Sequence, residues 1–323
     1  MRILVVYYSH SGTVAKVTER FCRPLKRKQD VHLFAESLEP NRPYPFPWKT
    51  LPRLLRILPE CQLGLGGGVK PLSIGPEERF DLVILSYQVW HLAPSLPIQD
   101  FLNSEYAQLL RQTPVVTICV SRNTWHSASE RMKLLLDRLH AIHVDNIIVT
   151  HEGPPLATLV SVPRFLLFGK KDLLWGVFPP AEIAETELER VEHLGTVLVG
   201  RLRTFDRSQP RPMLIGEGAV RVNRHYILAE LIAARSYFAL ARLAVYCERY
   251  GLWVRHSVVN VFIIFLLPAI IFVVPFTILL NALAYVFAGS ALEKYAMRLA
   301  QPSGEALAPH ESFQQILERK VNK

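Results

Sequence analysis

The apolar residues of this chain fall first into short, β-branched runs separated by helical stretches. Arg2–Tyr8 (RILVVYY) has the look of a strand buried on both faces, a Ser/Gly turn follows, and Val14–Leu25 carries helical spacing. Val31–Ala35 predicts a second strand, Asp81–Ser86 a third, Pro114–Ser121 a fourth and Asn146–Thr150 a fifth. Between the last two, Ala128–His140 forms a helical face from Met132, Leu135, Leu136 and Leu139. Residues 40–80 are irregular and rich in Pro and Gly, with a short helix expected near Leu51–Leu58. The Gly64–Gly68 run follows no strand and reads as a flexible loop. Strands alternating with helices predict a parallel sheet with helices on both faces, which Ile183–Leu202 closes as an amphipathic helix. Before that helix lies an aromatic and basic insert, Val162–Phe178, read either as a substrate mouth or as a loop over the sheet edge.

After a Pro- and Gly-containing linker at 205–218 the pattern changes. Ala219–Arg255 is apolar and helical but dotted with Arg221, Arg224, Arg235, Arg242, Arg249 and Arg255, and Ser257–Leu292 carries no charged residue. As one helix that uncharged stretch would be about 54 Å long, beyond a hydrocarbon core of about 30 Å. Pro268 and Pro275 divide it, so a re-entrant hairpin and a single tilted, kinked transmembrane helix are both open, and a buried soluble hairpin is the third option. Arg255 on one side and Lys294 and Arg298 on the other favour both ends facing the cytosol. The expected organisation is a domain over 1–204, the linker 205–218, a membrane-associated helical region over 219–300 and a polar tail over 301–323.

Charge and composition sharpen this. The net charge of +9 asks for an acidic partner, and the apolar final third makes an anionic membrane surface a better fit than nucleic acid, because the basic residues interleave with apolar ones. Cys22, Cys61, Cys119 and Cys247 are scattered without metal-ligand or disulfide spacing, so reduced thiols and no metal are expected. The start of the chain lacks the layout of a signal peptide, which puts its body on the cytoplasmic face of the inner membrane, anchored through 257–292.

The candidate chemistry begins at Ser9, His10, Ser11, Gly12, Thr13 and Val14, set between a strand and a helix. Hydroxyls and backbone amides at a helix N-terminus suit a phosphate, and neither a dinucleotide GxGxxG nor a P-loop GK[ST] is present. The loop is similar to the phosphate loop of flavodoxins, with Val14 where a hydroxyl residue is usual. That similarity implies a flavodoxin-like doubly wound parallel five-stranded sheet of order 2-1-3-4-5 and FMN as cofactor. In such a sheet the ligand lies beyond the carboxyl ends of the strands at the switch point. The third strand ends in Tyr87, Gln88, Val89, Trp90 and His91, and the fourth in Ser121, Arg122, Asn123, Trp125 and His126. Both loops can supply rings to stack on an isoalloxazine and polar groups to meet its edge.

Four segments, YYSHSGT, VWHLAPSLPIQDFL, PVVTICVSRNTW and VDNIIVTHEG, together resemble the flavodoxin-like dialkylresorcinol aromatases, often labelled condensing enzymes. The resemblance covers about residues 1–200. It implies an FMN-dependent aromatase that oxidises a dialkyl cyclohexanedione to a resorcinol, and the apolar C-terminal region, outside the resemblance, adds a seat at the membrane and a related lipophilic ring such as an aryl-polyene precursor or a quinone as substrate. Such a reaction removes a hydride and a proton, and a histidine is the natural base, in the order His126, His91, His10, with Arg122 holding an enolate oxygen. Two alternatives stay open: an NAD(P)H:quinone reductase with the same flavin site, and a flavin-less scaffold of the same fold at the membrane. The partners expected are a lipophilic small molecule and anionic lipid, with a homodimer also open.

Overall fold

The computed structural model describes residues 1–151, 155–202, 204–206 and 211–302. Its elements run β1 (Arg2–Tyr7), α1 (Thr13–Lys26), β2 (His32–Ser37), α2 (Leu51–Leu55), α3 (Leu58–Leu63), β3 (Leu82–Trp90), β4 (Ala93–Pro94), α4 (Leu96–Leu102), β5 (Pro114–Ser121), α5 (His126–Arg138), β6 (Ile142–Thr150), α6 (Pro155–Phe168), α7 (Glu185–Leu202), α8 (Ile227–Glu248) and α9 (Leu252–Ala300). The sheet order is β2-β1-β3-β5-β6 with β4 paired to β3, six strands where five in the order 2-1-3-4-5 are expected. The added strand has a local cause. His91 and Leu92 both take positive φ (49° and 63°), which closes a two-residue turn and brings Ala93 and Pro94 back antiparallel to Trp90 and Val89. The other four pairings are parallel, so the switch point still lies where the chain leaves β1 for β2 on one side and β3 lies on the other.

Alternation along each strand builds two cores. Leu4 and Val6 of β1, Val83 and Leu85 of β3, and Val115 and Cys119 of β5 face one layer; Ile3, Val5, Leu82, Ile84, Val116 and Ile118 face the other. The second layer is covered by α1 and α7, which approach so closely that a Cβ on Gly195 would stand 2.2 Å from the Phe21 carbonyl oxygen. The first layer is covered by α4 and α5, and also by Ile227 of α8 and Tyr295, Ala296 and Leu299 of α9. The C-terminal helices therefore share the core of the α/β body, and Lys133 Nζ donates to the Arg298 carbonyl at 3.0 Å.

The expected linker is in part core. Met213 and Leu214 are buried, and their amides donate to the Asp145 carboxylate at 2.9 and 2.8 Å. Burial pushes the Asp145 carboxyl up to about 7, against the pull of those amides and of Arg201. A carboxyl raised in the folded state binds its proton more tightly there than in the unfolded chain. The stability this group contributes is therefore fully present below about pH 4 and is lost as pH rises toward 7, at up to about 1.4 kcal/mol per pH unit. Thermal melting across that range should show this slope, and Asp145→Asn should flatten it; an unchanged slope in the variant would assign it to another group.

Among the described residues no helix is long and apolar enough to cross a membrane, which corrects the expected transmembrane helix. Part of the apolar surface of α9 is used on the protein itself: Val259, Phe262, Ile263 and Leu266 pack with Leu55, Leu58, Ala241 and Ala244. The anchor expected over 257–292 is helical, but most side chains between 267 and 288, like residues 303–323 of the expected tail, lie outside the described residues.

Candidate functional site

The loop after β1 is shaped by Gly12, whose φ of 85° is left-handed and whose missing Cβ would meet nothing within 4 Å. Ser9 Oγ accepts the Ala15 amide at 3.0 Å, and Ser11 Oγ lies 3.2 Å from Thr13 Oγ1. Among the described residues no acceptor meets the amides of Gly12, Thr13 and Val14, so the first turn of α1 presents donors and the positive end of its dipole to open space. A phosphate monoester fits this cradle. Val14 contributes only its amide, because its side chain is fully buried in the α1 core.

His10 does not face that space. Its Nε2 lies 3.0 Å from the Pro45 carbonyl oxygen, and its ring sits among Phe46 (5.2 Å), Trp90 (5.2 Å) and Trp48 (5.5 Å). Burial lowers its pKa. Tyr44 stacks edge-on against Trp90 at 5.0 Å, so residues 44–48 form an aromatic strap over the start of the site. Sequence reading left this segment as irregular chain; its signal was the density of aromatics among the prolines of Tyr44–Trp48.

At the carboxyl ends of β3 and β5 several buried polar atoms have no hydrogen-bond partner: Ser86 Oγ, Gln88 Nε2, Ser121 Oγ and Arg122 Nη1. Orphans of this kind are rare in folded proteins and mark a place for water or ligand. They lie where the edge of a flavin ring would meet the sheet in a doubly wound fold. Trp90 is 9% exposed and packs against Tyr8, His10, Tyr44 and Trp48, Tyr87 faces the core and is fully buried, Val89 is paired with Pro94 in β4, and Trp125 is 1% exposed. The residues present thus fit FMN: a phosphate cradle at one end, unmatched polar groups at the other and aromatic rings between.

The three histidines differ in setting. His91 is buried, its Nε2 lies 3.1 Å from the Leu54 carbonyl oxygen, and burial lowers its pKa to about 4. His126, at the start of α5, is 1% exposed and its Nδ1 lies 3.0 Å from Glu230 Oε2 without hydrogen-bond geometry, so both ring nitrogens are without a hydrogen-bond partner among the described residues. Glu230 comes from α8, is itself buried, and also accepts the Ser127 amide at 2.7 Å. Arg122 lies near the same carboxylate and the hydroxyls of Tyr226 and Tyr237, and burial lowers its pKa. Glu230 and both tyrosines escaped sequence reading, since they sit in the C-terminal region read only as membrane-associated. Beside this cluster a cavity of about 440 Å³ is lined by Asn123, Trp125, Thr150, Arg221, Val222, Asn223 and Arg224.

No protein-family model and no curated protein matches the chain. Solved structures similar to it include a flavoprotein in complex with FMN from Lactobacillus acidophilus NCFM (18% identity over 46% of this chain and 92% of that chain, TM-score 0.36). A flavodoxin from the domain Archaea is similar at 11% identity over 63% of this chain and 99% of its own, TM-score 0.34. A flavodoxin, WrbA-like protein from Agrobacterium tumefaciens is similar at 11% identity over 63% and 98%, TM-score 0.34.

Proposed function

We propose that this chain is an FMN-dependent oxidoreductase, seated on a membrane surface, that oxidises a lipophilic ring such as a dialkyl cyclohexanedione to its aromatic form. The observation that carries this reading is the row of unmatched donors, from the amides of Gly12–Val14 to Gln88 Nε2 and Arg122 Nη1 at the ends of β3 and β5. When bound, a flavin supplies a two-electron acceptor there; the protein supplies position and electrostatics.

Aromatisation takes a hydride from one ring carbon and a proton from its neighbour. Arg122, desolvated and with one nitrogen unmatched, holds the oxygen on which charge develops as the proton leaves. His126 Nε2 receives that proton, and the Glu230 carboxylate beside Nδ1 orients the ring and balances the imidazolium. Glu230 is in this scheme a positioning residue. His91 plays no part in proton transfer, because its ring nitrogen is engaged with a carbonyl and burial opposes its protonation. The Tyr44–Trp48 strap and Trp90 exclude water.

The cavity gives a second reading its own support. Arg221, one of its lining residues and 72% exposed, suits a phosphate of NAD(P)H, as a quinone reductase needs. Purified protein reconstituted with FMN separates the readings. Bleaching of the flavin band by a dialkyl cyclohexanedione, lost in His126→Ala with flavin still bound, supports the aromatase. Bleaching by NADPH alone supports the reductase, and failure to take up flavin overturns both.

A further inference from the structure

The two ends of α9 dock on the same side of the molecule, although the helix between them is too long for that distance. Near its start, Phe262 packs edge-on against Tyr237 of α8 at 5.7 Å; near its end, Glu293 accepts from Arg224 at 2.8 Å, just ahead of α8. The axis from Arg224 to Tyr237 is about 20 Å long, whereas a straight helix from Phe262 to Glu293 would measure about 46 Å. The surplus has to leave the body and come back. An arch with that contour and that footing rises about 20 Å, comparable to the roughly 15 Å of one leaflet's hydrocarbon. The sequence of this arch carries no charge, and Phe276 near its middle is 57% exposed.

α8, which lies between the two feet, carries a mixed outer face. Arg235, Arg242 and Arg249 recur every seven residues, two helical turns apart and therefore on one line, with the exposed Phe238, Leu243 and Tyr246 beside them. At the turn into α9, Trp253 is 73% exposed, and the Arg249 guanidinium stacks on the Tyr246 and Tyr250 rings at 3.5 and 4.7 Å. Alternating cations and amphipathic aromatics on an otherwise apolar surface match the headgroup layer of an anionic bilayer, with phosphates for the arginines and the interfacial zone for Trp and Tyr.

We infer that the chain enters an anionic membrane from one side only, with α8 lying in the headgroup plane and the α9 arch dipping into the near leaflet and returning. This rests on the reading of the protein as membrane-seated and deepens it: the contact is monotopic, and the feet of the arch flank the helix that carries Glu230. A lipophilic substrate dissolved in that leaflet then meets the protein beside the cavity at Asn123 and Trp125.

Flotation of the full chain with phosphatidylcholine vesicles, with and without about 30% phosphatidylglycerol, tests the surface. Binding should require the anionic lipid, and Arg242→Gln and Arg249→Gln should each weaken it about five-fold. A Phe276→Cys variant with Cys247→Ser, labelled with an environment-sensitive dye, tests the arch. Its emission should shift to the blue on binding and be quenched by spin-labelled lipid in the outer leaflet, but not by iodide trapped inside the vesicles. Equal binding to neutral vesicles, or quenching from the lumen, overturns the inference. FMN titration of the same samples keeps the two questions apart, since loss of flavin uptake with vesicle binding retained overturns the redox reading and leaves the monotopic one standing.

Discussion

Thr13→Asp is expected to lower FMN affinity by about 100-fold or more while leaving the protein folded and as stable as before. The loop offers the amides of Gly12, Thr13 and Val14, and the hydroxyls of Ser11 and Thr13, to a dianionic phosphate at the positive end of α1. An aspartate as the first residue of that helix answers the same amides from within the chain and repels the ligand. Loss of two charge-assisted hydrogen bonds at about 1.5–3 kcal/mol each accounts for a factor of this size before repulsion is added. The same carboxylate is favourable for the helix, since acidic side chains stabilise the first turn by about 0.3–1 kcal/mol. Unfolding therefore cannot account for lost affinity. Titration of flavin fluorescence with FMN and with riboflavin measures the effect. The parent should prefer FMN strongly, and the variant should bind both alike, at the riboflavin level. An unchanged FMN preference would place the phosphate elsewhere and remove the loop from the site.

How much of this could be read beforehand depends on how local the cause was. β1, β3 and β5 announce themselves because both faces are buried, which leaves unbroken apolar runs such as RILVV and PVVTICV. The place of the Ser9–Val14 loop was legible too, since a strand, a Gly and a helix in fixed succession define it. The turn that makes β4 was not, because its two left-handed residues are His91 and Leu92, neither of which signals a tight hairpin turn as Asn-Gly would. Tyr87 shows the limit of reading a strand end as loop. β3 runs on to Trp90, so Tyr87 still obeys strand alternation and turns into the core instead of toward a ligand. The strap over His10 and the Glu230 carboxylate beside His126 depend on contacts across the fold, about 35 and 100 positions apart along the chain, and no local pattern encodes them.

Glu230 is where the two parts of the chain meet, and removing it should be costly for both. Glu230→Ala deletes the carboxylate beside His126 and the acceptor of the Ser127 amide, in a place where the glutamate side chain is fully buried and the histidine is 1% exposed. Leaving the Ser127 amide without its acceptor in a place closed to water costs about 1–3 kcal/mol, and the void left by the buried side chain adds to it. Glu230→Gln keeps an oxygen for the Ser127 amide and should cost about half as much. Urea unfolding of the two variants gives this ranking directly. The location of the loss also matters: α8 hangs on this contact, on Ile227 and on the packing of Ala241 and Ala244, so the alanine variant should become sensitive to limited proteolysis between residues 219 and 226 before the α/β body unfolds. If the pair also positions the base, Glu230→Gln should depress kcat for ring oxidation with KM and flavin affinity unchanged. A glutamine variant with parental kcat and KM would leave Glu230 a purely structural clasp, and an alanine variant destabilised by less than about 1 kcal/mol would deny it even that.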